Sequence, residues 1–256
     1  MKHLDEYRSV TVAKSLIADI RSRVTRKWVL MDVCGGQTHG LLRSGIESEL
    51  RDVVELIHGP GCPVCVTPAS AIDFAIDLSM RGDTILVSFG DMLRVPGSAG
   101  SLLDARGRGG KVRIVYTPID ALAIAAENPE LNVVFLGVGF ETTVPSTALA
   151  LLQARRQGLR NFCVIPAHVR VQPAMEQIMC MPENRVEGFL AAGHVCVITG
   201  YASYESFASE HGVPVVVTGF EPVDLLEGIL ACVDALETER HEVINRYGRT
   251  VTREGN

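Results

Sequence analysis

Residues 135–145 read FLGVGFETTVP, and residues 216–226 read VVTGFEPVDLL. In both, an apolar run ends at Gly-Phe-Glu just before a helix-like segment. A run with no polar alternation is what a strand covered on both faces requires. The repeated strand-to-helix turn therefore predicts parallel sheets sandwiched between helices. Because the echo occurs twice, it predicts two similar lobes, each a mostly parallel sheet with helices on both faces, dividing near Asn128–Asn132.

The same alternation runs along the chain. Strands are expected at 27–33, 52–57, 84–89, 111–116, 132–138, 161–166, 194–199 and 213–218. Helices are expected at 5–24, 40–51, 68–80, 118–127, 145–157, 173–180, 201–211 and 222–238. Strands alternating with helices define an α/β protein. The expected organisation is a first lobe over 1–130, a second over 131–238, and a polar tail over 239–256 that reads as a helix. The Gly-rich stretch GSAGSLLDARGRGG (97–110) is expected to be a mobile loop.

With 256 residues the chain can bury a large core. Apolar residues make up 47% and charged residues 21%, with a net charge of −6, the balance of an ordinary soluble domain. No long basic run is present, which argues against nucleic acid or an acidic membrane as partner. No apolar stretch approaches the roughly 20 residues of a membrane span. The N-terminus, MKHLDEYRSV, carries charges where a signal peptide is apolar. A cytoplasmic protein is expected.

There are seven cysteines. In a reducing cytosol structural disulfides are not expected. Cys163, Cys180, Cys196 and Cys232 are isolated and read as small buried hydrophobes. Cys34 differs. It leaves the first strand in CGGQTH (34–39) and precedes a helix, whose free N–H groups lower a thiol's pKa. The stretch HGPGCPVCV (58–66) places Cys62 and Cys65 in a Gly/Pro turn after the second strand. Half a zinc site, a redox dithiol and part of an iron site all fit such a pair. Structural zinc needs a second ligand pair, and no second CxxC or HxxxH exists. Redox or transient metal chemistry ranks higher.

Ligands of open α/β sheets bind beyond the carboxyl ends of the strands. Gathered there, by this reading, are Cys34, Gly35, Gly36, Gln37, Thr38, His39, His58, Cys62, Cys65, Glu141, Thr142 and His168. Three thiols with histidines and a glutamate favour a soft metal such as iron or copper. Glu141 and Glu221 serve equally well as helix caps. His194 reads as a core or interface histidine at the start of a strand.

MDVCGGQTHG (31–40), ELIHGPGCPVCVTP (55–68), SFGDMLRVPGSAGSL (88–102), GVGFETTVPSTA (137–148), GHVCVITG (193–200) and TGFEPVDLLEGI (218–229) resemble the HypD family of NiFe hydrogenase maturation proteins. The resemblance runs from about residue 4 to the end. It implies an assembly scaffold rather than a turnover enzyme. On that resemblance Cys34 ligates iron, with a second thiolate from HypC. Cys62 and Cys65 form the redox-active dithiol, and Gln37 and His39 flank the iron. It implies that HypE delivers cyanide made with HypF, and that the finished Fe(CN)2CO unit passes to the hydrogenase large subunit. It also implies a C-terminal cysteine-rich segment binding a 4Fe-4S cluster, and none of the four isolated cysteines matches that segment. Position 37 is Gln where some relatives have His. Two further readings stand beside the scaffold: a thiol-disulfide oxidoreductase using Cys62 and Cys65 alone, and a partner-binding remnant.

Overall fold

The structure is a computed structural model and describes residues 5–256. In chain order the helices are α1 (Val10–Arg23), α2 (Gly35–Ser44), α3 (Ile46–Leu50), α4 (Ala69–Ser79), α5 (Leu102–Gly107), α6 (Asp120–Glu127), α7 (Val144–Arg156), α8 (Val171–Met179), α9 (Gly193–Thr199), α10 (Ser203–His211) and α11 (Pro222–Glu237). The strands are β1 (Trp28–Asp32), β2 (Val54–His58), β3 (Thr84–Ser88), β4 (Val112–Ile114), β5 (Asn132–Gly139), β6 (Phe162–His168), β7 (Gly188–Ala192), β8 (Val215–Thr218) and β9 (Val243–Asn245).

Two compact units result. One joins the residues up to Cys62 with Arg170–Asn256; the other is Pro63–Val169. The first holds a five-stranded sheet in the order β2-β1-β7-β8-β9, and the second a four-stranded sheet in the order β4-β3-β5-β6. Every strand pair is parallel. The α/β class and two helix-flanked parallel sheets are as the sequence indicates. The two Gly-Phe-Glu turns fall one in each sheet, after β5 and after β8.

Side chains alternate across a strand, and the cores follow that alternation. In β5, Val133 and Phe135 pack with Ala121 and Leu122 of α6 and Ala150 of α7. Their neighbours Val134 and Leu136 pack with Ile72 of α4 and Leu102 of α5. Both faces of β5 are therefore covered. In the first unit Leu30, Leu190 and Val216 meet Ile20 of α1, Leu41 of α2 and Ile229 of α11. On the opposite side of that sheet, Phe189 lies edge-on to Phe207 of α10, with centroids 5.5 Å apart.

Four expectations are corrected. The strand expected at 194–199 is helix α9, and the strand is the preceding GFLAA, paired between β1 and β8. The apolar run is long enough to hold both, and β-branched content does not decide between them. The helix expected at 40–51 is two helices broken at Gly45, whose φ is 73°. The stretch 97–110 holds an ordered helix. Ser101 and Asp104 form a reciprocal cap there, and Leu102 and Ala105 are fully buried. The tail is not a helix: Val243–Asn245 adds an edge strand to the first sheet.

Candidate functional site

β1 ends at Asp32, and two residues later Cys34 caps α2 with extended backbone. The Cys34 Sγ accepts the Gly36 N–H at 3.3 Å and lies 3.8 Å from the Nδ1 of His194. The thiol is 8% exposed. Burial pushes its pKa up, the Gly36 and Gln37 N–H groups pull it down, and the charge of Asp32 adds to the rise; the net is upward. This corrects the expectation of a lowered pKa. The helix N-terminus acts as expected, but desolvation of the thiolate outweighs it.

The loop after β2 lies directly on this turn. Gly59 N–H donates to the Asp32 carbonyl at 2.8 Å. A Cβ on Gly61 would fall 2.3 Å from the Gly35 nitrogen, so backbone packs on backbone there. Cys62 and Cys65 are disulfide-bonded. Cys34, Cys163, Cys180, Cys196 and Cys232 form no disulfide. Of the four isolated cysteines, Cys163 and Cys180 are exposed, contrary to expectation, and Cys196 and Cys232 are buried.

Between the two loops sits a group that sequence reasoning missed. Asp32 is fully buried. Its Oδ1 accepts the Thr38 hydroxyl at 2.6 Å, and its Oδ2 pairs with the Nδ1 of His58 at 2.5 Å. The Nε2 of His58 is 3.5 Å from Glu47. The signal available in sequence was an Asp at a strand end two residues before the thiol. Burial lowers the pKa of His58, but the Asp32 hydrogen bond and charge, with Glu47, raise it further, and the net is above 6.5. A group with a raised folded pKa adds stability that is fully present below its unfolded value of about 6.5. That stability is lost as pH rises through the folded value. Thermal unfolding should therefore separate wild type from His58→Asn most at pH 6 and least at pH 9. A gap that does not change with pH would contradict the pairing.

Gln37 is fully buried. Its Nε2 donates to the Ala191 carbonyl at 3.0 Å and to the Thr218 hydroxyl at 2.6 Å. It ties α2 to β7 and β8 rather than reaching a ligand with that nitrogen. Its Oε1 has no hydrogen-bond partner among the described residues. His39 is exposed and lines a cavity of about 450 Å³ with Gly36, Arg8, Arg43, Phe220 and Glu221. Arg8 grips Glu221 through two bonds of 2.5 and 2.7 Å.

Glu141 and Thr142 belong to the second unit, in the turn between β5 and α7. His168, in the same unit, ends β6, and its Nε2 is 3.4 Å from the Thr147 hydroxyl. Burial lowers its pKa. His194, read in the sequence as a core residue, is beside the thiol because α9 rather than a strand begins there. No cluster of three or more His, Cys, Asp or Glu side chains poised to hold a metal occurs among the described residues. No helix among them is long and apolar enough to cross a membrane.

Two helix-flanked parallel sheets, one of them with a buried thiol at the turn from β1 to α2, place the chain among α/β proteins that carry a cysteine at a strand end. Comparison with known proteins narrows that class. The HypD family model, described as "Hydrogenase formation hypA family", matches residues 11–256. The chain is 47% identical to the hydrogenase maturation factor HypD2 of Bradyrhizobium diazoefficiens, covering all of this chain and 70% of that protein. It is 46% identical to the maturation factor HypD of Azotobacter vinelandii and 43% identical to that of Escherichia coli, with the same coverage in both. The chain belongs to the HypD family of hydrogenase maturation factors.

Proposed function

We propose that the chain is a scaffold on which the Fe(CN)2CO unit of NiFe hydrogenases is assembled. The iron is cargo, held through the Cys34 thiolate together with a thiolate of HypC. The observation that carries this reading is Cys34 itself, a free thiol with a backbone N–H and an imidazole around its sulfur. A thiolate is a soft donor suited to iron. One thiolate supplies one ligand, so the others come from HypC and from the diatomic groups. Burial raises the thiol's pKa and keeps it protonated until a metal displaces the proton. Gly35 and Gly36 add no side chain of their own beside the sulfur. Thr38, through Asp32, and Gln37 hold the turn in place.

Cys62 and Cys65 are the redox-active dithiol of this reading: closing the disulfide releases two electrons and two protons, and an external dithiol reductant, itself oxidised to a disulfide, restores the two thiols by exchange. HypE supplies cyanide, HypF acts upstream of it, and the hydrogenase large subunit receives the finished unit. The protein works in the cytoplasm.

Anaerobically co-produced with HypC, the wild-type chain should retain iron, and Cys34→Ala should lose it. Retention of all iron by that variant overturns the ligand assignment. The disulfide supports a second reading, a thiol-disulfide oxidoreductase. That reading predicts turnover on a disulfide substrate without iron or HypC, and inactivity in that assay removes it.

A further inference from the structure

His194 is not held beside Cys34 by its own helix alone. Its ring packs on Phe220, with centroids 5.3 Å apart and planes inclined by 54°. Phe220 in turn meets Tyr247 edge-on, 6.3 Å apart at 88°. Edge-on and tilted ring pairs at these separations are attractive and directional, so each ring limits how the next can turn. A Cβ placed on Gly36 would lie 3.2 Å from the Phe220 ring and 3.5 Å from the Cys34 Sγ. Phe220 thus packs against both the turn that carries the thiol and the imidazole that faces it.

Tyr247 is fixed from its other side. The Arg249 guanidinium lies 4.4 Å above its ring and 3.8 Å above that of Tyr7. Arg249 is anchored by two bonds of 2.7 Å to the buried Asp224. The Tyr247 N–H donates to the Asn245 side chain at 2.9 Å, tying the ring to β9. Space is tight, since a Cβ on Gly193, next to His194, would fall 2.6 Å from the Tyr247 ring. An unbroken stack therefore connects the segment following β9 to the imidazole at the thiol.

We infer that Phe220 and Tyr247 are positioning residues for Cys34, which set the His194 imidazole against its sulfur, so that the segment after β9 governs how readily the thiol reacts. The inference rests on Cys34 being the working thiol of the proposed scaffold. It adds to that role a control point some 50 residues along the chain from His194 and remote from both cysteine motifs. Any load on the segment that carries Tyr247 and Arg249 would reach the sulfur through three rings.

The test is alkylation of the iron-free chain, residues 1–256, by iodoacetamide at fixed pH, with each cysteine followed by peptide mass spectrometry. The exposed Cys163 and Cys180 serve as references, and the fully buried Cys232 reports unfolding. His194→Ala and Tyr247→Leu should each slow Cys34 by about fivefold, while Tyr247→Phe, which keeps the ring, stays close to wild type. In the His194→Ala background Tyr247→Leu should add nothing, because residues acting through one another are not additive. Full additivity, an unchanged rate or a faster one in Tyr247→Leu overturns the inference. If Tyr247→Leu exposes Cys232, Phe220→Met carries the same prediction, since it keeps apolar volume and removes the ring. The assay contains no iron, so its failure leaves the scaffold reading standing, and loss of the scaffold reading leaves the alkylation result intact.

Discussion

Replacing Arg249 by alanine is expected to lower stability by about 3 kcal/mol, the low end for a broken buried pair. Asp224 is fully buried in the first turn of α11, and both its oxygens are bonded to Arg249. The Glu221 N–H also donates to it at 3.3 Å. Without the guanidinium, a carboxylate stays in the interior with no countercharge, and the cost of its desolvation falls on the folded state. The low end applies because 24% of the Arg249 side chain reaches solvent. Two comparisons identify the cause. Arg249→Lys keeps the charge but not the two-pronged geometry, and should fall between wild type and alanine. Asp224→Asn combined with Arg249→Met removes both charges and should be less damaging than Arg249→Ala alone. Urea unfolding midpoints measure all three. Equal midpoints for wild type and Arg249→Ala would show that the pair contributes nothing.

Gly61→Ala is expected to disturb the site itself. The new Cβ would stand 2.3 Å from the Gly35 nitrogen and 2.8 Å from the Cys34 carbonyl carbon. Both are backbone atoms, which cannot swing aside as a side chain can. One of the two cysteine-bearing loops must shift, and overpacking of this kind costs roughly 1–3 kcal/mol. The unfolding temperature should drop by about 5 °C, and iron retention should fall with it. Gly82→Ala is the control, because its Cβ would meet nothing within 4 Å. A Gly61→Ala protein that matches Gly82→Ala in both measurements would show that the loops do not depend on each other.

Much of this was legible in the sequence. The apolar runs that became β1, β3, β5 and β8 were read directly, because a strand buried on both faces has no polar alternation to confuse it. The helices α4, α6, α7 and α11 were bounded to within two residues by their flanking Pro, Gly and polar residues. The segment 188–199 was misread because a single apolar run serves as a strand and then as a helix, and the division depends on which neighbours flank it. β9 is three residues long in a polar stretch and exists by pairing with β8, a long-range contact that leaves no local signal.

The site was legible where chemistry marks it and hidden where packing makes it. Cys34, Cys62 and Cys65 stand out by type and by their Gly/Pro surroundings. Asp32 did not stand out, because nothing local shows that its carboxylate is buried between Thr38 and His58. His194 was taken for a core residue because its position beside the sulfur follows from the start of α9. The thiol's pKa direction was missed for the same reason. The helix N-terminus can be read from sequence, but the depth of burial that outweighs it cannot.

The most direct measurement is the infrared spectrum of this chain, co-produced without oxygen with HypC, HypE and HypF. Iron-bound cyanide and carbon monoxide absorb where protein does not. The scaffold account predicts both sets of bands on the purified complex, and their loss in Cys34→Ala. A wild-type chain that purifies with HypC and shows neither set would contradict it.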